Sequence, residues 1–223
     1  MAFTDAAAGN LALHVGDDSA AVLRRRAVLE AAAGISPRRF QYMNQVHGSD
    51  VVMIDSHAEA PTADALVSRR SPLAVMVADC VPVVMVGEPS GRSAGSEALP
   101  VLAAVHAGRP GVASGVVPAA VAKMRALGAT AIRAWLGPSV CGRCYEVPAA
   151  MREEVSAAVP AARSETSWGT PGLDLPAGVR SQLAAEGVRI EYSGPCTLED
   201  DALFSYRRDR QTGRFAGLVW THE

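Results

Sequence analysis

Apolar positions along the chain fall mostly into short unbroken runs, and only in a few stretches into a helical period. Leu73 to Ala78, Val81 to Val86 and Val101 to Val105 are runs bounded by Pro and Gly, as expected of buried strands. Phe40 to Val46 and Val51 to Ile54 read as two more strands, joined by the turn His47-Gly48-Ser49-Asp50. Asp17-Asp18-Ser19 predicts a capped helix to about Ala33, with Gly34 closing it. A helix over 113–127 should end at Gly128, with Pro118 near its start or kinking it. Thr130 to Leu136 is then a strand. Helices near 148–158 and 176–186 precede strands near 188–192, 203–206 and 215–220, the last two joined through Gln211-Thr212-Gly213 as a hairpin. Glu88 to Glu97 reads as an exposed loop between strands.

Strands outnumber helices, and many successive strands have no helix between them. A regular parallel βαβ array is therefore excluded, and the pattern predicts an α+β fold of mixed sheets flanked by helices. The 223 residues are expected to form one domain.

Hydrophobic residues make up 49% and aromatic residues 5%, so the core is built from small and branched side chains. Twenty-one Lys and Arg against 23 Asp and Glu leave a net charge of −2, with Lys123 the sole lysine. No basic face is implied, which argues against nucleic acid and anionic membrane as partners. No apolar stretch is long enough for a membrane span, and Met1 to Gly16 lacks the basic and apolar regions of a signal peptide. A cytoplasmic location is expected, in which Cys80, Cys141, Cys144 and Cys196 are free or metal-bound thiols.

Chemistry concentrates at three strand ends. His47 lies in Asn44-Gln45-Val46-His47-Gly48, Cys80 in Ala78-Asp79-Cys80, and His106 in Val105-His106-Ala107-Gly108. Two imidazoles and one thiolate form a common zinc donor set with one position open for chemistry. They lie too far apart in sequence for a zinc finger, so the fold would have to assemble them. Cys80 with His106 also fits a cysteine nucleophile and its imidazole base. Cys141-Gly142-Arg143-Cys144 has C-x-x-C spacing but no second half, and is assigned a structural role or a place behind the ligands. Alternatively, one of its cysteines closes a four-ligand zinc site. His14, His57 and His222 have no sequence partners and read as surface or core residues. Arg24-Arg25-Arg26 reads as a solvated helix face, and Tyr206-Arg207-Arg208-Asp209 as a hairpin ion-pair cluster rather than an anion site.

These motifs, with Ala63-Asp64-Ala65-Leu66-Val67, Leu136-Gly137-Pro138, Cys144-Tyr145-Glu146-Val147, Cys196-Thr197 and Phe204 to Asp209, stand in the order of the YfiH or laccase-domain family, which the chain resembles over nearly its whole length. The resemblance implies an α+β sandwich shared with certain cysteine-hydrolase-like toxins. It implies metal ligands at His47, Cys80 and His106, which are also the catalytic set. The chemistry implied is zinc-dependent phosphorolysis of adenosine, inosine, guanosine and methylthioadenosine, with deamination of adenosine. Its partners would be a nucleoside and phosphate. An older assignment for the family is copper-dependent phenol oxidation, and a hydrolase of cell-wall precursors is a further alternative. Asn44, Asp79 and Arg109 are the candidate substrate-binding residues: Arg109 to grip phosphate, Asp79 to orient a ligand imidazole or meet the sugar. Two departures stand out. Arg109-Pro110-Gly111 replaces the family's Trp-Arg-Gly, and Gly137-Pro138-Ser139-Val140-Cys141 replaces Gly-Pro-Ala-Ile-Gly.

Overall fold

Three strands of the central sheet are apolar on both faces because both faces are covered. In the computed structural model, which describes residues 1–89 and 99–222, six strands run in the order β10-β7-β5-β6-β3-β2. They are β2 (Val51–Met53), β3 (Ala65–Ser68), β5 (Val81–Pro89), β6 (Val101–Ala107), β7 (Ala129–Leu136) and β10 (Arg189–Ser193). β2 lies parallel to β3 and β10 parallel to β7, while the other neighbours are antiparallel. A three-stranded sheet, β1 (Ala2–Phe3), β11 (Phe215–Val219) and β4 (Leu73–Val77), is antiparallel throughout. A short pair, β8 (Arg163–Glu165) with β9 (Pro171–Leu173), completes the strands.

Alternation along the strands assigns each residue to a layer. Val81, Val83 and Met85 of β5 and Ala103 and Val105 of β6 pack on the helices α2 (Arg109–Ser114), α3 (Val116–Ala126), α4 (Ala149–Ala158) and α5 (Leu175–Ala185). The even-numbered positions Leu66, Val84, Leu102 and Ala104 meet Leu73, Val75, Val77, Phe215 and Val219 of the smaller sheet. The outer face of that sheet carries Ala74, Met76 and Leu218, covered by Leu11, Phe40 and Leu29 of α1 (Ser19–Ala32). The result is an α+β sandwich of a mixed six-stranded sheet and an antiparallel three-stranded one, with helices on both sides.

The helix signals act as their chemistry requires. The Asp18 carboxylate accepts from the Ala20 and Ala21 N–H groups at the head of α1, and Gly34 follows at φ 65°. The helix expected over 113–127 is divided at Gly115, which adopts φ 83° and separates α2 from α3, so Pro118 falls in the first turn of α3.

Four expectations need correction. Residues 40–46 form only isolated bridges, at Gln41 and Asn44. The Gln45 carboxamide replaces ladder bonds there, accepting from the Met76 N–H at 3.0 Å and donating to its carbonyl at 2.7 Å. Residues 203–206 form no strand: 203 is a bend and 206 opens a turn, because the Asp200 carbonyl accepts from Leu203 and Ser205 accepts from Arg208 and Asp209, so no hairpin precedes β11. The turn at His47 joins no hairpin either, since β2 pairs with β3. Within the arginine run only Arg24 is solvated. Arg25 meets Asp17 at 2.6 Å, and Arg26 donates to the Leu11 carbonyl and lies 3.6 Å above the Tyr42 ring. The loop expected over 88–97 lies, from residue 90 onward, outside the described residues; residues 88 and 89 end β5.

Phe215 is fully buried between the two sheets. Phe215→Ala is expected to lower unfolding free energy by about 3–5 kcal/mol, measured by urea titration. A loss under about 1 kcal/mol would mean the sheets are not packed as described.

Candidate active site

Register and parity bring the site together at one end of the large sheet. Val81 pairs with Ala107 and Pro82 with His106, so Cys80, just before β5, lies beside the end of β6. Ala65 pairs with Val105, which places Asp64 on the other side of His106. Val51 of β2 pairs with Ala65, and the 47–50 turn leading into it closes over the same corner. Cys80, His106 and Asp64 share the even parity of the inter-sheet face.

The side chains converge. His47 Nε2 lies 3.8 Å from Cys80 Sγ, and the two imidazoles stand edge to face with centroids 4.6 Å apart. One ligand atom each from His47, Cys80 and His106 falls within 4.8 Å of the other two. Gly108 makes this approach possible, because a Cβ there would lie 2.6 Å from the His47 ring and 3.3 Å from Cys80 Sγ.

Asp64 organises the cluster, and the sequence reading gave it no role. Its Oδ1 lies 2.7 Å from His106 Nδ1, leaving Nε2 of that ring directed elsewhere. The same carboxylate accepts the His47 N–H at 2.9 Å, the Gly48 N–H at 2.6 Å and the Val46 N–H at 3.3 Å. His47 has φ 62°, a costly conformation for a β-branchless but bulky ring residue, and this nest of donors holds it. Burial alone would raise the Asp64 carboxyl, but the His106 bond and the backbone donors outweigh it and lower it.

Asp79 was a candidate for orienting an imidazole; Asp64 does that here. The Asp79 carboxylate instead accepts the Thr197 hydroxyl at 2.6 Å and the Arg207 N–H at 2.8 Å. It too has positive φ, 90°, next to Cys80. Burial opposes ionisation of Cys80, yet the charge and hydrogen bond of His106, helped by His47, bring its thiol down to about 6. Burial likewise opposes protonation of His106, but Cys80 and Asp64 raise it to about 9. Each charge favours the other, which draws the metal-free pair toward thiolate and imidazolium.

The cluster opens into a cleft of about 670 Å³. Asn44 stands exposed at its rim, bonded to Thr62 Oγ1 at 3.3 Å, and Arg109, the first residue of α2, lines it. Two further guanidiniums, Arg207 and Arg214, line the same space, as do His14 and Tyr145. Arg207 lies 4.6 Å above the Tyr145 ring. The tail motif therefore divides: Tyr206 and Arg207 face the cleft, while Arg208 turns to the Thr197, Asp200 and Leu203 carbonyls. The cue for Asp64 was a lone carboxylate heading an apolar strand, and Arg207 stood in the tail motif whose reading as an anion site was set aside for an ion-pair cluster; nothing local marked Arg214 or His14. His57 lines a separate hollow of about 430 Å³ that shares no residue with this one.

The donor set fits a metal ion: a lowered thiol, an imidazole fixed through Nδ1 by a carboxylate, and a second imidazole within reach. In metal-stripped protein, iodoacetamide should alkylate Cys80 at a rate that is flat at neutral pH and falls tenfold per unit below about pH 6, since the thiolate is lost only there. Peptide mapping of the label checks it, and a decline beginning near pH 9 would contradict the described pairing.

Comparison with known proteins agrees with this architecture. Residues 4–222 match the family model described as multi-copper polyphenol oxidoreductase laccase. A purine nucleoside phosphorylase of Streptomyces griseus is 51% identical over 220 residues, covering 95% of this chain and 86% of that protein. One of Pseudomonas aeruginosa is 36% identical, covering 96% and 86%. Among solved structures, YlmD from Geobacillus stearothermophilus superposes with a TM-score of 0.81 at 31% identity, covering 96% of this chain and 85% of that one. The YfiH protein of Bacillus licheniformis does so with 0.80 at 26% identity, covering 96% and 85%. With a match that spans nearly every residue, the chain belongs to the multi-copper polyphenol oxidoreductase laccase family, the laccase-like YfiH family.

Proposed function

We propose that this chain is a zinc-dependent purine nucleoside phosphorylase, a single catalytic domain over residues 1–223. Its substrates in this reading are adenosine, inosine, guanosine and methylthioadenosine, with deamination of adenosine as a second activity. The observation that carries it is the His47, Cys80 and His106 cluster, backed by Asp64 and opening into a cleft with three guanidiniums. The printed names of the relatives supply the substrate class.

His47, Cys80 and His106 would hold the ion. When bound, zinc supplies a Lewis-acidic centre with one open position. Asp64 fixes the His106 ring for that task, and the nest at residues 46–48 fixes His47. In phosphorolysis a phosphate oxygen bonds to the ribose carbon while the bond to the purine nitrogen breaks, giving ribose 1-phosphate and the free base. Arg109, Arg207 and Arg214 bring cationic, forked donors to the cleft, which suits a phosphate dianion. Asn44 and Asp79 are the remaining candidates for contact with the nucleoside, Asp79 with less freedom because Thr197 and Arg207 engage its carboxylate. The free thiols fit a reducing, cytoplasmic setting.

A laccase-type multicopper centre finds no support in the ligands. Among the described residues one candidate metal group contains imidazole, and it contains two. No helix among them is long and apolar enough to cross a membrane.

Zinc-loaded protein incubated with adenosine and phosphate should yield adenine and ribose 1-phosphate, and with inosine, hypoxanthine. These products should disappear in Cys80→Ala, and chromatography of the mixture reads them. Loaded wild-type protein that forms no free base and no inosine would overturn the proposal. Arg109→Ala should raise the phosphate KM roughly ten- to hundredfold and leave the nucleoside KM nearly unchanged, the effect of losing one charge-assisted contact of about 1.5–3 kcal/mol. Initial rates against phosphate concentration decide it.

A further inference from the structure

The three thiols outside the cleft also converge. Cys141 and Cys144 lie in the tight turn after β7, where the Cys144 and Tyr145 N–H groups both donate to the Cys141 carbonyl. Cys196 follows β10, and Ser139 bridges to it. Glu199 comes a turn later, its N–H donating to the Cys196 carbonyl at 3.3 Å. The sulfurs of Cys141, Cys144 and Cys196 and a Glu199 carboxylate oxygen all lie within 4.8 Å of one another. A tetrahedral zinc site, with bonds of about 2.3 Å to sulfur and 2.1 Å to oxygen, spaces its donors roughly 3.5–3.8 Å apart. A central ion would therefore draw each donor inward by under about 1 Å.

Other features point the same way. Cys196 Sγ accepts the Cys141 N–H at 3.3 Å, which ties that sulfur to the turn carrying the other two. Cys144 Sγ lies 3.4 Å from Glu199 Oε1. The cationic side chain nearby, Arg143, reaches Glu199 only at 3.7 Å and is largely exposed. All four cysteines are free thiols, and a disulfide would use two of these three and leave the carboxylate without a role. Three sulfur donors select a thiophilic ion over calcium or magnesium.

We propose that Cys141, Cys144, Cys196 and Glu199 form a second metal site, closed by four protein ligands, that takes zinc as a structural ion. None of the four lines the cleft. The ion would pin the 139–146 loop to the 195–199 loop. Thr197, between the ligands of the second loop, donates to the Asp79 carboxylate, and so braces the strained residue beside Cys80. This site steadies the wall of the cleft and takes no part in its chemistry.

Metal analysis of the full chain, purified reduced and dialysed against zinc, tests the proposal. Wild-type protein should hold two zinc ions per chain. His47→Ala/Cys80→Ala should keep one, and Cys141→Ser/Cys196→Ser should keep the other with a lowered Tm. Glu199→Gln should retain two but release one to a chelator at least tenfold faster. The count on His47→Ala/Cys80→Ala does not require any thiol-cluster variant to fold, and it is independent of nucleoside turnover. A metal-free His47→Ala/Cys80→Ala protein would overturn the second site, as would a mass two hydrogens short, with a disulfide among these cysteines, in protein kept from reductant.

Discussion

A single buried carboxylate holds the active corner in place. Asp64 has no exposure to solvent, and an unpaired charge in that position would cost several kcal/mol. Its partners come from two different parts of the chain: the His106 ring on β6 and the N–H groups of residues 46–48. Satisfying the carboxylate therefore fixes one imidazole by its Nδ1 and, in the same act, holds the turn that carries the other. The His47 backbone would not rest at φ 62° without such a cradle.

The layers supply the rest. Because side chains alternate, the helix-facing residues of β5 and β6 can be entirely aliphatic, while the inter-sheet parity ends in Cys80 and His106. Antiparallel pairing of two central strands then places the start of one beside the end of the other. These donors are held firmly: Cys80 stands one residue before buried β5, His106 lies within buried β6, and the Asp64 carboxylate holds the turn of His47. Gly108 supplies the space that two rings and a sulfur need. The strained Asp79 on the opposite flank is held from the tail through Thr197 and Arg207, so both positive-φ residues of the site are clamped by hydrogen bonds.

Electrostatics fits chemistry on an anionic substrate. The chain as a whole is slightly acidic, yet Arg109, Arg207 and Arg214 line one cleft, drawn from α2 and from the C-terminal segment. Long-range attraction is weak at such a net charge, so selectivity rests on contacts inside the cleft. Family names alone, laccase in one case and phosphorylase in another, do not choose between activities. The two imidazoles, one thiolate and three guanidiniums bear on that choice directly.

Much of the framework was legible in the sequence because it depends on local chemistry. Asp18 and Gly34 bracket α1, and the aliphatic runs became β4, β5 and β6, since branched side chains bounded by Pro and Gly have few other outcomes. His47, Cys80 and His106 stood out at strand ends, and their order matched the family. Register was not legible. Which strand neighbours which decided that Asp64, not Asp79, meets His106, and that Arg207 faces the cleft while Arg208 turns to carbonyls. Residues 40–46 and 203–206 look like strands by composition, but side-chain amides in the first and local turn bonds in the second replaced a strand ladder. Sequence sets what each segment can form locally. Only tertiary structure decides which distant donor meets which acceptor, because that depends on long-range pairing.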